Sequence, residues 1–361
     1  PILPQQAIKT YQSFLVIHGI IMPDYLPVVI LIISAGQYFL FKDSRSERER
    51  KSAQSKAGQV HFQWSFLHPR YWLLWLFLIL LRLLVYLPLP ALHFIGRGIG
   101  RLFYRVNEKR RQITRINIGL CFPELTEEQK EQLVLRHFEA YGANVFDLAI
   151  SWWASSSRLD RLTKVHGIER YLDLIDQGRN VVLLTGHILT VDLCGQYISR
   201  YQAGVSMMKP LKNPLLNWMM YRGRMRNGNV MVNRQQGMRP MVRYLRKGYT
   251  GYFMPDEDFG SPASVFAPFF GQQSWTVTSL SMLARLGNAV VLPIFMHSLA
   301  GGKGYELYID PALENFPSGD DLTDTTTMNM ALEKGIRRMP EMYAWTFKLF
   351  KTRPEGEKAP Y

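Results

Sequence analysis

A histidine and an aspartate stand five positions apart in "GHILTVD", His187 and Asp192, directly after the apolar run "NVVLLT". Five residues along an ideal helix turn about 500°, so the two would not share a face if both were helical. The geometry works if His187 precedes the helix and Asp192 lies in its first turns. The carboxylate then accepts a hydrogen bond from one ring nitrogen, and the other nitrogen can take a proton from a hydroxyl. The bland alternative is a histidine at a helix start with an incidental acid. The chain contains neither G-x-S-x-G nor H-E-x-x-H, so neither a serine elbow nor a zinc-protease signature is present. The nucleophile is then the substrate's own hydroxyl, activated by His187, which suits acyl transfer to an alcohol.

Three further stretches deliver polar residues straight after apolar runs: "MMKPLKNP", "VNRQQG" and "MPDEDFG". In an open α/β sheet, reacting groups collect where strands end. Arg234 is suited to bidentate phosphate binding, against the alternative of a surface arginine. Asp256, Glu257 and Asp258 can orient Arg234 or a substrate amide, against the alternative of an acidic turn. Lys209, Lys212 and Asn213 follow another strand, and Lys209 and Asn213 are candidates for substrate binding. Arg222, Arg224 and Arg226 read better as a charged helix face, one that could also dock an acidic protein. No second ligand cluster accompanies the acids, so no metal is expected. The two cysteines, Cys121 and Cys194, are far apart and form no disulfide framework.

The elements that must position these residues follow from the patterning. From about residue 180, short β-branched runs alternate with helical stretches, including "GVSMM", "NPLLNWMMYRGRMR", "YTGYFMPD", "WTVTSLSMLARLG" and "AVVLPIF". The first, third and fifth read as strands, the second and fourth as helices. Such alternation predicts an α/β domain with a mostly parallel central sheet flanked by helices. "TEEQ" at Thr126 is a capping-box start for a long amphipathic helix through Trp153. Ahead of it lie two apolar blocks, residues 14–41 and 71–92, both candidates for a transmembrane or membrane-associated helix. Arg82 interrupts the second, which therefore tilts, lies in the interface or packs its charge on protein. Arg97, Arg101 and Arg105 recur on one helix face, as a basic surface on anionic lipid would require, against the alternative of a solvated helix face. The domain reading is residues 1–64 as an extra apolar segment and charged linker, 65–120 as a membrane-associated and a basic helix, and 121–361 as the α/β domain. The chain opens on Pro1, which points to a fragment, a processed product or a mis-set start. Of its 361 residues 47% are hydrophobic and 20% charged, with a formal charge of +14. An acidic partner is expected; without zinc-finger or RNA-recognition patterns, a membrane is favoured over nucleic acid.

With these residues in place, the chain resembles the late acyltransferases of lipid A biosynthesis, the lauroyl and myristoyl transferases of the lysophospholipid acyltransferase superfamily. The resemblance runs from about Ser65 to Tyr361. It is carried by "FLHPRYWLLWL", "INIGLCFPELTEEQ", "GHILTVD" at the H-x4-D/E position, "KNPLLNW", "MPDEDFGSPASVFAPFF" and "FKTRPEGEKAPY", in order. It implies a bacterial inner-membrane enzyme whose catalytic domain faces the cytoplasm. Such an enzyme moves a fatty acyl chain from acyl carrier protein, as co-substrate, onto a hydroxyl of a lipid A precursor, with no cofactor. By position, His187 would be the general base and Asp192 its partner, with Arg234, Asp256 and Asp258 in substrate binding or orientation. Residues 1–64 fall outside the match, and Asp192 stands where some subgroups carry glutamate. Two rival readings remain open: an acyltransferase of glycerophospholipids or other glycolipids with an acyl-CoA donor, and an inactive membrane-surface binding protein.

Overall fold

The computed structural model describes residues 61–361. The expected apolar segment at 14–41 and the charged linker behind it lie outside the described residues. Four helices come first: α1 (Trp72–Leu84), α2 (Leu89–Val106), α3 (Glu108–Cys121) and α4 (Glu127–Trp153). The α/β part then runs α5 (Ser156–Leu162), β1 (Thr163–His166), α6 (Ile168–Asp176), β2 (Asn180–Leu184), α7 (Val191–Ile198) and β3 (Gly204–Met208). It continues through α8 (Pro214–Arg224), β4 (Val230–Asn233), α9 (Arg239–Leu245) and β5 (Thr250–Phe253). Last come the hairpin β6 (Ser264–Phe269) and β7 (Gln272–Val277), α10 (Ser279–Gly287), β8 (Ala289–Ser298), β9 (Tyr305–Ile309) and α11 (Asp321–Arg338).

The seven-stranded sheet has the order β1-β9-β8-β2-β5-β3-β4. Every neighbouring pair is parallel except β8–β9. The exception has a simple cause: residues 299–304 are too few for the crossover that a parallel pair needs. The central strand β2 is buried from Val181 to Leu184, as expected of a parallel strand covered on both faces. The α/β expectation with a mostly parallel sheet therefore holds. One element differs: "WTVTSLSMLARLG" is not all helix. Trp275–Val277 ends β7, paired antiparallel with β6, and the helix starts only at Ser279.

The long helix α4 begins as its sequence predicts. Thr126 Oγ1 accepts from Gln129 N–H at 3.2 Å, and Gln129 Oε1 accepts from Thr126 N–H at 2.9 Å. From Tyr141 to Trp152 it is buried all round, with α2 laid along it. Gly100 and Gly142 permit that approach, since a Cβ at either would run into backbone of the facing helix. The apolar block at 71–92 is not one helix. It breaks between Leu84 and Leu89, where Pro88 biases the preceding residue away from helix. No helix among the described residues is long and apolar enough to cross a membrane, so the transmembrane expectation fails for this block. Arg82, its interrupting charge, lies over the Trp153 ring at 5.9 Å.

Candidate functional site

The site forms where β2 and β5 end side by side. Their register pairs Leu184 with Phe253, so the third residue past each strand, His187 and Asp256, face one another. Asp256 holds the histidine at two points. Its Oδ2 accepts from His187 N–H and its Oδ1 pairs with His187 Nδ1, both at 2.7 Å. Gly186 lies against this carboxylate: a Cβ there would stand 3.0 Å from both Asp256 Oδ2 and the Tyr343 ring. The C-terminal segment closes over the loop. Ala344 N–H donates to the His187 carbonyl at 2.9 Å, and the Phe347 ring meets the imidazole edge-on at 5.1 Å.

Burial alone would push the His187 imidazole down, but the adjacent Asp256 carboxylate outweighs it and raises the pKa above the ordinary value. Burial would likewise raise Asp256, yet His187 and the Tyr343 hydroxyl hold it below the usual carboxylate range. Asp256 is therefore ionised and accepts only, so His187 Nδ1 carries the proton and Nε2 is the basic nitrogen. The nearby Cys194 thiol is pushed up to about 12 by burial, far from nucleophilic.

Asp192 stands in the first turn of α7, as expected, but the carboxylate on His187 Nδ1 is Asp256. Asp192 is instead held by Arg224, the last residue of α8: Arg224 Nε donates to Oδ1 at 2.5 Å and Nη2 to Oδ2 at 2.9 Å. The physical reason is the strand register, which brings Asp256 alongside His187 while α7 carries Asp192 to α8. The charge of Arg224 still acts on His187, opposing the rise in its pKa. Arg224 thus lies within electrostatic reach of His187, where the sequence suggested a charged helix face. Its neighbours diverge: Arg222 lies over Trp218 at 5.3 Å, and Arg226 donates to the Ser151 carbonyl at the end of α4.

The remaining expected residues separate into two groups. Arg234 lies over the Phe259 ring, 3.1 Å from its centroid, at the end of β4. Beside it, burial raises Glu257 while His187, Arg234 and Lys209 oppose that rise. Glu257 thus lies within electrostatic reach of His187, Arg234 and Lys209. Asp258 and Asn213 are engaged in the backbone. Buried Asp258 accepts from Gly260 N–H and Thr352 N–H, both at 2.9 Å. Asn213 Oδ1 caps α8, accepting from Leu215 and Leu216 N–H at 3.0 and 3.1 Å. Among the described residues no group of three or more His, Cys, Asp or Glu side chains could hold a metal ion.

The family profile described as "Bacterial lipid A biosynthesis acyltransferase" matches residues 59–352. The lipid A biosynthesis lauroyltransferase of Escherichia coli (strain K12) is 36% identical over 301 residues, 83% of this chain and 98% of that protein. The palmitoleoyltransferase of the same organism is 36% identical over 304 residues, 84% and 99% of the two chains. Its myristoyltransferase is 29% identical over 303 residues, 83% and 93% of the two. The aligned region holds the whole of the sheet, the His187–Asp256 pair and the Asp192–Arg224 pair, and on these grounds the chain belongs to the bacterial lipid A biosynthesis acyltransferase family.

Proposed function

We propose that this protein transfers a fatty acyl chain from the thioester of acyl carrier protein to a hydroxyl of a lipid A precursor, with His187 as general base. The observation that carries the reading is the His187–Asp256 pair at the strand ends of a chain of this family. Nε2 takes the proton of the acceptor hydroxyl. The oxygen attacks the thioester carbonyl carbon, the C–O bond forms, and the tetrahedral intermediate collapses with loss of the C–S bond. The departing thiolate takes the proton back from the imidazolium, so no covalent enzyme intermediate or cofactor is needed. Asp256 orients the ring and stabilises the imidazolium. Arg224, positioned by Asp192, offsets the negative charge that builds on the carbonyl oxygen. Lys209 and Arg234, both within electrostatic reach of Glu257, supply positive charge suited to a phosphorylated glycolipid or an acidic carrier protein. The acceptor is a lipid, which puts the work at the cytoplasmic face of an anionic inner membrane.

The test is mass spectrometry of lipid A from a host lacking its late acyltransferases and expressing this chain. One added acyl mass is expected with the native protein and none with His187→Ala, which should fold normally. Near-normal transfer by His187→Ala would overturn the role of the base. Transfer in vitro from CoA thioesters to lysophospholipid, with none from carrier-protein thioesters, would overturn the substrate pair.

A further inference from the structure

Between Asp192 and Asp256 the sequence holds eleven lysines and arginines and no acidic residue, so this block carries most of the formal +14. Some of its cations are engaged within the fold. Arg200 pairs with Asp160, Arg224 pairs with Asp192, and Arg226 donates to the Ser151 carbonyl. Those of α9 differ. Arg239, Arg243, Arg246 and Lys247 are exposed. Of these, Arg239, Arg243 and Lys247 meet no carboxylate within ion-pair distance among the described residues. At 100° per residue Arg239, Arg243 and Arg246 fall within a sector of about 60°, opposite the buried Met241 and Leu245. Arg246 also donates to the Leu286 carbonyl through Nε at 3.0 Å and Nη2 at 2.8 Å, tying α9 to α10. That neighbouring helix adds Arg285 and no acid, so it does not offset the charge. Like charges gathered without partners repel one another, and an acidic partner relieves that repulsion.

We infer that the outer face of α9 docks the acidic face of the acyl carrier protein that holds the donor thioester. The placement of α9 supports this. β2, β5, β3 and β4 run parallel, and α9 follows β4, so its first turn with Arg239 stands at the end of the sheet where His187 follows β2. β4 is three strands from β2 in the sheet order, about 14 Å at the usual strand spacing. A carrier seated on α9 would lay its extended thioester arm across the ends of β4 and β3, past Arg234 and Lys209, to His187. The face does not suit a bilayer. The exposed apolar face of the chain lies on α1 and α2, through Trp72, Leu76 and Phe94. By contrast, among the described residues no large apolar side chain between Met225 and Met282 is exposed. A helix lying on lipid sinks an apolar face into it, and that of α9 is turned into the protein. The charge left at the surface steers an oppositely charged protein and fixes its orientation. The inference rests on the thioester donor proposed above, but carrier binding is read without turnover, so the two fail separately.

The experiment is fluorescence anisotropy of labelled, unacylated carrier protein titrated with the full chain in detergent. Saturable binding is expected at low salt, weakened at least about ten-fold in Arg239→Glu/Arg243→Glu and little changed in Arg239→Lys/Arg243→Lys. The gap between the native and the reversed chain should narrow as salt is raised. In turnover, the reversed variant should raise the KM for the carrier-protein thioester by the same factor. Its kcat and its KM for the lipid acceptor should stay as in the native protein, and an equal melting temperature would show that it folds. Equal carrier binding by the native and reversed chains would overturn the surface, as would a rise in KM for the lipid acceptor alone. Weaker flotation with phosphatidylglycerol vesicles, with carrier binding intact, would replace the carrier by a bilayer. Carrier binding that the reversal abolishes, with no transfer from the carrier thioester by the native chain, would keep the surface and overturn the donor.

Discussion

The proposed base, His187, has two neighbours that differ in kind, and substitutions should separate them. Asp256→Asn keeps the shape but removes the charge that raises the imidazole and fixes its tautomer. Transfer should fall by about 10²–10⁴-fold. The acid limb of the pH–rate profile should also move to lower pH. In the proposed mechanism that limb reports His187 losing its proton, above the ordinary 6.5, because Asp256 outweighs the effect of burial. A limb left in place would show that Asp256 does not control this base. Asp192 and Arg224 form the second unit. Arg224→Met leaves a mostly buried carboxylate unpaired, with Asp192 only 8% exposed, and should cost about 1–3 kcal/mol in chemical denaturation. Because the two act together, the Asp192→Asn/Arg224→Met double variant should lose little more turnover than either single one. Fully additive losses would mean that they serve separate steps.

The helices set where those side chains stand. Arg224 closes α8 and Asn213 opens it, so the cap at one end bears on the ion pair at the other. Asn213→Ala should lower thermal stability by about 1 kcal/mol and reduce turnover more than binding of the thioester. A fall in both alike would place Asn213 on the substrate instead. The contact of α2 with α4 depends on Gly100 and Gly142, whose absent side chains let two backbones meet. Gly142→Val should destabilise the platform beneath the exposed apolar face while Gly98→Ala, with open space around it, should not. Equal melting temperatures for the two variants would show that this packing is loose.

At the scale of the whole molecule, two buried histidines other than His187 link folding to pH. Burial pushes His137 and His297 down to about 4 in each case, the Arg338 charge adding to the effect on His297. The unfolded chain takes up these protons near 6.5, whereas the folded chain resists until about 4. Their contribution to stability is thus complete above 6.5 and is lost as pH falls toward 4. Denaturation midpoints should decline across that window, and His297→Leu should flatten the decline. An unchanged slope would mean that other groups govern acid unfolding. Asn117 offers a second global test. Its amide donates to the carbonyls of Trp345 at 2.7 Å and Phe347 at 2.6 Å, holding the C-terminal segment over His187. Asn117→Ala should cost about 2 kcal/mol and speed proteolysis of residues 343–361.

Much of the molecule was legible in the chain because the relevant physics is local. Strand and helix periods predicted the α/β sheet, "TEEQ" predicted the start of α4, and "GHILTVD" placed His187 before a helix and Asp192 within it. The break at Pro88 is legible too, because Pro88 and Pro90 cut the apolar block short of a continuous helix. What the sequence could not determine was pairing across distance. Which carboxylate meets His187 depends on β5 lying beside β2 in a register that aligns Phe253 with Leu184, and strand register is a property of the packed sheet. For the same reason Asp192 finds Arg224 rather than His187, and Asp258 and Asn213 spend their oxygens on backbone N–H groups. Composition along the chain sets which residues can do chemistry; only the packing of strands and helices, through hydrogen bonds between residues tens of positions apart, decides which of them do it together.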